Sequence, residues 1–271
     1  MVDPDFVIPA ERLPPGFAQS VDHPPSEPAE AKPAATIVLM RDGESGMEIL
    51  LLKRHRASGF VPGAYVFPGG RTDEADADPA LEECALNLRQ ASVAAFLWFA
   101  AVREVFEETG VLLARDAQGD WAADSATSEE IQKLRLGLLE EQLTLRDILQ
   151  QCKYRIDFSD VVYFAHWITP VAEPRRYDTR FFAARLPDGR EVLADPREMT
   201  DAVWLTPADA LERFSRGQLP MVFPTVRTLE QLAEYRTTDD ALAALRNHAV
   251  EPIMPRLVRT GTGVGIVIDP K

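Results

Sequence analysis

Cysteine and histidine are scarce in this 271-residue chain, with two of the first and four of the second. Cys84 and Cys152 stand far apart and lack the close spacing of metal ligands. A disulfide-framed fold and a zinc ribbon are therefore excluded, and the two read as reduced thiols. Positive charge is short as well: 29 Lys and Arg face 43 Asp and Glu, a net charge of −14. Such a surface repels nucleic acid and anionic membranes, so neither is expected as a partner. The same field opposes an anionic substrate unless cations or local arginines reverse it. Long hydrophobic runs are missing too. The longest, 91–102, falls well below the roughly 20 residues of a membrane helix. The N-terminus, MVDPDFVIP, is acidic and broken by proline, unlike a signal peptide, and the expected location is cytoplasmic.

Apolar residues make up 46% of the chain and charged residues 27%, enough apolar surface for a sizeable core. Eight of the 21 prolines fall in residues 1–33, which read as an extended arm before a domain over 34–271. Ala35–Met40 and Glu48–Lys53 read as strands around a turn at 42–46, and Tyr65–Phe67 as a short strand ending at Pro68-Gly69-Gly70. A helix is expected from Ala91 to Thr109, capped by Gly110, followed by a strand over 111–114. Helical insertions are expected at about 71–92 and 115–155. The second opens on a capping box at Thr127-Ser128-Glu129-Glu130, with another helix start at Thr144. Strands over 160–169, 179–186 and 202–205, helices near 207–216, 225–235 and 239–248, and an edge strand over 261–268 complete the pattern. Strands interleaved with helices predict an α/β or α+β fold with a mixed sheet between helices.

The chemistry concentrates in Arg103-Glu104-Val105-Phe106-Glu107-Glu108-Thr109-Gly110-Val111. On a helix Glu104, Glu107 and Glu108 share one face, while Ala95, Phe99, Val102 and Phe106 form an opposite, core-facing stripe. Like charges so spaced repel by roughly 0.2–0.5 kcal/mol per pair unless a cation joins them. Ala100 and Ala101 are small enough for the Phe67–Gly70 turn to approach that face. Oxygen ligands from two elements are the kind Mg²⁺ or Mn²⁺ prefers.

This segment resembles the second half of the Nudix box, G-x5-E-x7-R-E-U-x-E-E-x-G-U with U aliphatic, and Gly70 stands at its opening. The resemblance implies a Nudix fold and a Mg²⁺-dependent diphosphatase. It further implies that Glu104, Glu107 and Glu108 hold the metal with help from the Gly70 carbonyl, and that Arg103 orients a box glutamate. In the standard box 13 positions separate Gly from Arg, whereas 32 separate Gly70 from Arg103. Counting forward from Gly70 gives Asp76 as the middle acid; counting back from Arg103 gives Ala95. No role is assigned to either.

A box interrupted here resembles that of the coenzyme A diphosphatase subgroup. Leu51-Leu52-Lys53-Arg54, then Gly63 ahead of Phe67-Pro68-Gly69-Gly70, is similar in outline to its signature LLTxR-[SA]-x3-R-x3-G-x3-FPGG. The second arginine position falls on Gly59, with Arg56 as a shifted substitute. The stretches His166–Pro170 and Arg176–Phe182 also resemble that subgroup. The implied substrate is coenzyme A or acyl-CoA, cleaved to 3′,5′-ADP and (acyl)phosphopantetheine. ADP-ribose or a dinucleotide is the alternative substrate, a non-catalytic nucleotide sensor the alternative class, and a homodimer an open option. Glu107 and Glu198 are the two candidate general bases, the latter because these enzymes often add an acid from outside the box. Arg54, Arg56, Arg176 and Arg180 are the candidate substrate cations, alongside Arg175. His55 and His166 read as structural, and Trp167, Phe181 and Phe182 as core.

Overall fold

The computed structural model describes residues 6–13, 16–55, 62–88 and 93–268; Arg56 and Gly59 lie outside the described residues. The chain divides into two compact units. One comprises Met1–Pro33, Ala165–Thr179 and Val250–Lys271, the other Ala34–Phe164 and Arg180–Ala249.

In the first unit the expected arm contributes a strand, β1 (Val7–Pro9), and a short helix, α1 (Phe17–Asp22). β1 pairs antiparallel with β14 (Gly263–Val267), whose other neighbour is β13 (Arg256–Arg259). β14 is thus the centre of a three-stranded sheet and not the expected edge strand. Proline explains why β1 is hard to read: Pro9 lacks a ladder donor, which the outermost strand tolerates. β12 (Pro252–Ile253) runs parallel to His166-Trp167.

The second unit is built on a sheet in which β2 (Ala31–Gly43) and β3 (Gly46–Arg54) form a hairpin, closed by Glu44-Ser45 between paired Gly43 and Gly46. β11 (Met199–Leu205) lies beyond β3; beyond β2 come β10 (Arg176–Arg185), of which Arg180–Arg185 belongs to this unit, and β9 (Val161–Ile168), of which Val161–Phe164 does. β4 (Tyr65–Val66) adds to β3, and β5 (Gly69–Arg71) to β2. Both faces of the hairpin are covered, as its near-continuous apolar runs require. Ile37, Leu39, Leu50 and Leu52 pack with α2 (Ala95–Thr109) in one cluster. Val38, Met40, Ile49 and Leu51 are buried outside it, while α5 (Pro207–Ser215) packs on β3 and β11. α6 (Phe223–Leu232) and α7 (Thr238–Arg246) follow.

Two local readings change. Residues 74–84, expected to begin an added α-helix, form successive 3₁₀ turns, Glu74–Ala77 and Pro79–Cys84, then β6 (Ala85–Leu86). Asp78 ends one turn and its carboxylate accepts from Ala80 N to start the next, with proline at the first position. In the second insertion, α3 (Glu129–Leu139) is capped by Ser128, whose Oγ accepts from Ile131 N. Thr127 is spent on Asp124, so the expected reciprocal box does not form. α4 (Leu145–Cys152) does begin with a capping box, Thr144 with Asp147. β6 and β7 (Ala114–Arg115) flank β8 (Arg155–Asp157), while 111–113, expected as strand, are buried without joining a ladder. Among the described residues no helix is long and apolar enough to cross a membrane.

Candidate active site

α2 is more enclosed than its amphipathic reading implies. Besides Phe99, Val102 and Phe106, its Leu97, Trp98, Ala100, Ala101, Val105 and Glu108 are buried. Trp98 and Phe99 both meet Phe158 edge-on, and Trp98 also packs on Phe182. A helix fixed on most of its circumference holds the angle of every side chain it presents. Its carboxylate face is covered by the glycine bend, which stays close because it is a sheet strand: Gly69 pairs with Thr36, and Gly70 with Ala35. At Gly69, φ is 154° and a Cβ would stand 2.5 Å from the Ala35 carbonyl oxygen. At Gly70 a Cβ would stand 2.6 Å from a Glu104 carboxylate oxygen. Gly69 N donates to Glu108 Oε2 at 3.0 Å.

The expected convergence of glutamates and glycine bend is therefore present for Glu104 and Glu108. Gly70→Ala tests it. The new methyl displaces the end of one flexible side chain, so melting should shift by only a few degrees. Displacing a metal-orienting group typically costs about 10–100-fold in affinity or activity. Turnover and Mn²⁺ titration should fall within that range; unchanged turnover would remove Glu104 from the site.

Arg103 is 5% exposed and uses all five of its N–H groups. Nε and Nη2 reach the two Asp76 oxygens at 2.9 and 3.0 Å, and Nη2 also reaches the Arg71 carbonyl at 2.8 Å. Nη1 donates to Glu104 at 3.0 Å and to Glu107 at 2.8 Å. No donor remains for a substrate, which matches the orienting role implied by the resemblance. Asp76 is the residue that sequence reasoning passes over. It is 1% exposed, and its Oδ2 also accepts from Asp73 N at 2.7 Å. The forward count from Gly70 therefore lands on the acid that Arg103 meets, and the inserted residues lie between Asp76 and the helix.

The electrostatics are unbalanced. Asp76, Glu104 and Glu107 share one guanidinium, and Glu108 has none hydrogen-bonded to it among the described residues. Burial pushes Glu104 up to about 8, with Glu107 and Asp76 adding to the rise against Arg103. Burial likewise pushes Glu107 up to about 7, with Arg103 opposing and Asp76 and Asp73 assisting. Glu108 is raised well above the ordinary range by burial and then by Glu104; Glu198 adds, while Gly69 N–H and Arg54 oppose. Burial would lower the Arg103 pKa, but Asp76, Glu104 and Glu107 together raise it.

These oxygens suit a hard divalent cation: buried, acceptor-only carboxylates in excess of their counter-charge, with a backbone bend pressed against one of them. They are not a finished cage. Among the described residues no three acidic, histidine or cysteine side chains are gathered tightly enough to hold an ion. Glu104 and Glu107 each have one oxygen bonded to Arg103.

The other expected residues divide. Arg54, at the end of β3, is felt electrostatically by Glu108, and so is Glu198 from the exposed turn before β11. Their strands run side by side, with Met199 opposite Arg54 and His55 N donating to the Glu198 carbonyl at 2.8 Å. Arg180 is half-buried in β10. Arg176 belongs to the first unit, where its guanidinium donates to the carbonyls of Thr169 and Ala29. His166, also in the first unit, is buried and bonded to Asp178. Trp167, Phe181 and Phe182 are buried, as expected.

Comparison with known proteins agrees with this geometry. Residues 90–232 match the profile of the NUDT19 Nudix domain. The acyl-coenzyme A diphosphatase NUDT19 of Homo sapiens is 26% identical over 285 residues, covering 89% of this chain and 72% of that protein. The protein of the same name from Xenopus laevis is 26% identical over 251 residues, covering 78% and 66%. The chain thus spans about two thirds of the length of such relatives. A crystal structure of a NUDIX hydrolase from Alicyclobacillus acidocaldarius superposes with a TM-score of 0.64 at 27% identity, covering 80% of this chain and 97% of that one. With a matching profile over more than half its length and the box residues assembled around Arg103, the chain belongs to the Nudix hydrolases, in the NUDT19 Nudix domain family, and is a hydrolase of phosphorus-containing anhydrides.

Proposed function

We propose that this diphosphatase depends on Mg²⁺ or Mn²⁺ and cleaves coenzyme A or acyl-CoA to 3′,5′-ADP and (acyl)phosphopantetheine. The observation that carries the metal dependence is the surplus of buried carboxylate around one arginine. Leaving such charge uncompensated is costly, and a divalent ion offsets it. Glu104, Glu107 and Glu108 would hold the ion, beside Gly70. Once bound it would supply Lewis-acid stabilisation of the phosphoryl oxygens and acidify a water. The substrate assignment is supported by the names of the relatives and by the Leu51–Gly70 resemblance.

The chain's own residues supply the remainder. Arg103 holds one oxygen of Glu104 and one of Glu107, which restrains the orientation of both carboxylates. Arg54 brings positive charge to the Glu108 end of the cluster, where an anionic diphosphate needs it. Of the two proton acceptors, Glu107 is committed to Arg103 whereas Glu198 is exposed at the same end. Glu198 is therefore assigned the proton lost by water as its oxygen bonds to phosphorus and the bridging P–O bond breaks.

The test is incubation with Mg²⁺ or Mn²⁺ and a panel of coenzyme A, acyl-CoA, ADP-ribose and a dinucleotide, with products identified by mass. Release of 3′,5′-ADP from coenzyme A, abolished by chelator, is expected. Turnover of ADP-ribose alone would overturn the substrate, and binding without turnover of any member would overturn the enzyme reading.

A further inference from the structure

An α-helix ends with backbone carbonyls that its own ladder cannot satisfy. At the end of α2 each is taken, mostly from outside the helix. Gly110, left-handed at φ 74°, turns the chain and donates its N–H to Phe106 O at 2.9 Å. Glu107 O receives two bonds from Arg135 of α3, from Nε at 3.0 Å and Nη2 at 2.7 Å. Glu108 O receives Asp195 N at 3.0 Å and Thr109 O receives Leu193 N at 2.8 Å. Gly110 O receives Ser125 N at 3.0 Å, and the Ser125 Oγ that lies over Gly110 accepts from Arg135 Nη1 at 3.2 Å. Arg135 is 2% exposed. A buried guanidinium that spends a planar fork on one carbonyl fixes that carbonyl in direction as well as distance.

Glu107 and Glu108 are the residues whose carbonyls are gripped here, and they sit on the last turn of the helix, where fraying is greatest. Arg135 also places a positive charge at a helix C-terminus, the favourable end for a cation. We propose that Arg135 is a positioning residue. Through it the 115–155 insertion clamps the last turn of α2 and sets the aim of the Glu107 and Glu108 carboxylates toward a divalent cation. The insertion is then a buttress of the site, neither a lid nor padding. Asp124 ties the same insertion to the segment between β10 and β11 by accepting from Glu191 N at 3.0 Å, so the donors Leu193 and Asp195 are held by the same assembly.

This inference rests on the metal reading above, and the experiment separates the two. Mn²⁺ affinity is measured on metal-free full chain by the loss of the free-ion electron paramagnetic resonance signal, well below the melting temperature. Wild type, Glu108→Gln, Arg135→Met and Arg135→Lys are compared, with kcat and KM alongside. If wild type binds no Mn²⁺, or Glu108→Gln binds it as tightly, the metal reading fails whatever Arg135 does. If the clamp positions the ligands, Arg135→Met weakens Mn²⁺ by about tenfold or more. Arg135→Lys, which keeps the charge but loses the fork, should lie between. At saturating Mn²⁺, kcat should fall in the same order with KM for the diphosphate unchanged. If both variants lower the melting temperature yet bind Mn²⁺ and turn over within twofold of wild type, Arg135 is a packing residue only and the proposal is overturned. Should Arg135→Met fail to fold, Arg135→Lys decides alone by the same criterion.

Discussion

Replacing Glu108 by glutamine is expected to remove turnover by about three decades while raising the melting temperature of the metal-free protein. The two effects have one origin. Glu108 is buried; burial, Glu104 and then Glu198 all favour its neutral form, and the Gly69 N–H donates a hydrogen bond to it. Glutamine keeps the shape and an oxygen to accept that bond but removes the repulsion, so the metal-free fold is relieved. On the proposed metal dependence a ligand is lost as well, and several kcal/mol of transition-state charge stabilisation go with it, at about 1.4 kcal/mol per decade of rate. Glu107→Gln should cost turnover similarly with a smaller thermal gain, because its pairing to Arg103 at 2.8 Å already offsets part of the burial cost. Kinetics with Mg²⁺ and thermal melts in chelator check both. A lower melting temperature for Glu108→Gln would show that its carboxylate is structural.

How much of this is legible in the sequence depends on whether the signal is local. Helical spacing alone places Glu104, Glu107 and Glu108 on one face, and the alanines above them on a face that can accept the glycine bend; β5 lies there. Arg103 likewise follows from the local order of the box. Asp76 is not legible, because the inserted residues put the two counting directions out of step, and only the fold shows which acid the guanidinium finds. Arg135 leaves no periodic trace at all: it is one arginine on an ordinary amphipathic helix, and its partner is a backbone carbonyl 28 residues away. The first 33 residues read as a plain extended arm for a related reason. Proline suppresses strand signals, and the pairing that orders β1 joins Val7 to Gly265, a contact no local window contains.

Stability of the metal-free protein should fall as pH rises through the titrations of Glu104 and Glu107, and a bound cation should remove that fall. An unfolded glutamate titrates near 4.5, whereas in the metal-free fold Glu104 titrates at about 8 and Glu107 at about 7. Below pH 4.5 both are protonated in either state and carry no penalty. Between 4.5 and about 8 the folded protein holds more protons than the unfolded chain, so stability falls as pH rises. A tenfold change in a group's proton affinity on folding corresponds to about 1.4 kcal/mol, so the accumulated loss is several kcal/mol. A divalent cation binds the ionised form, and its affinity should therefore strengthen from about pH 6 to about 8 and level off above. Saturating Mg²⁺ should accordingly raise the melting temperature more at about pH 8.5 than at about pH 6, as binding to the native state alone requires. Calorimetry near pH 6.5 in buffers of different ionisation enthalpy should detect protons released on binding. An equal rise at both pH values, with no proton release, would mean that these carboxylates are already ionised before any cation arrives.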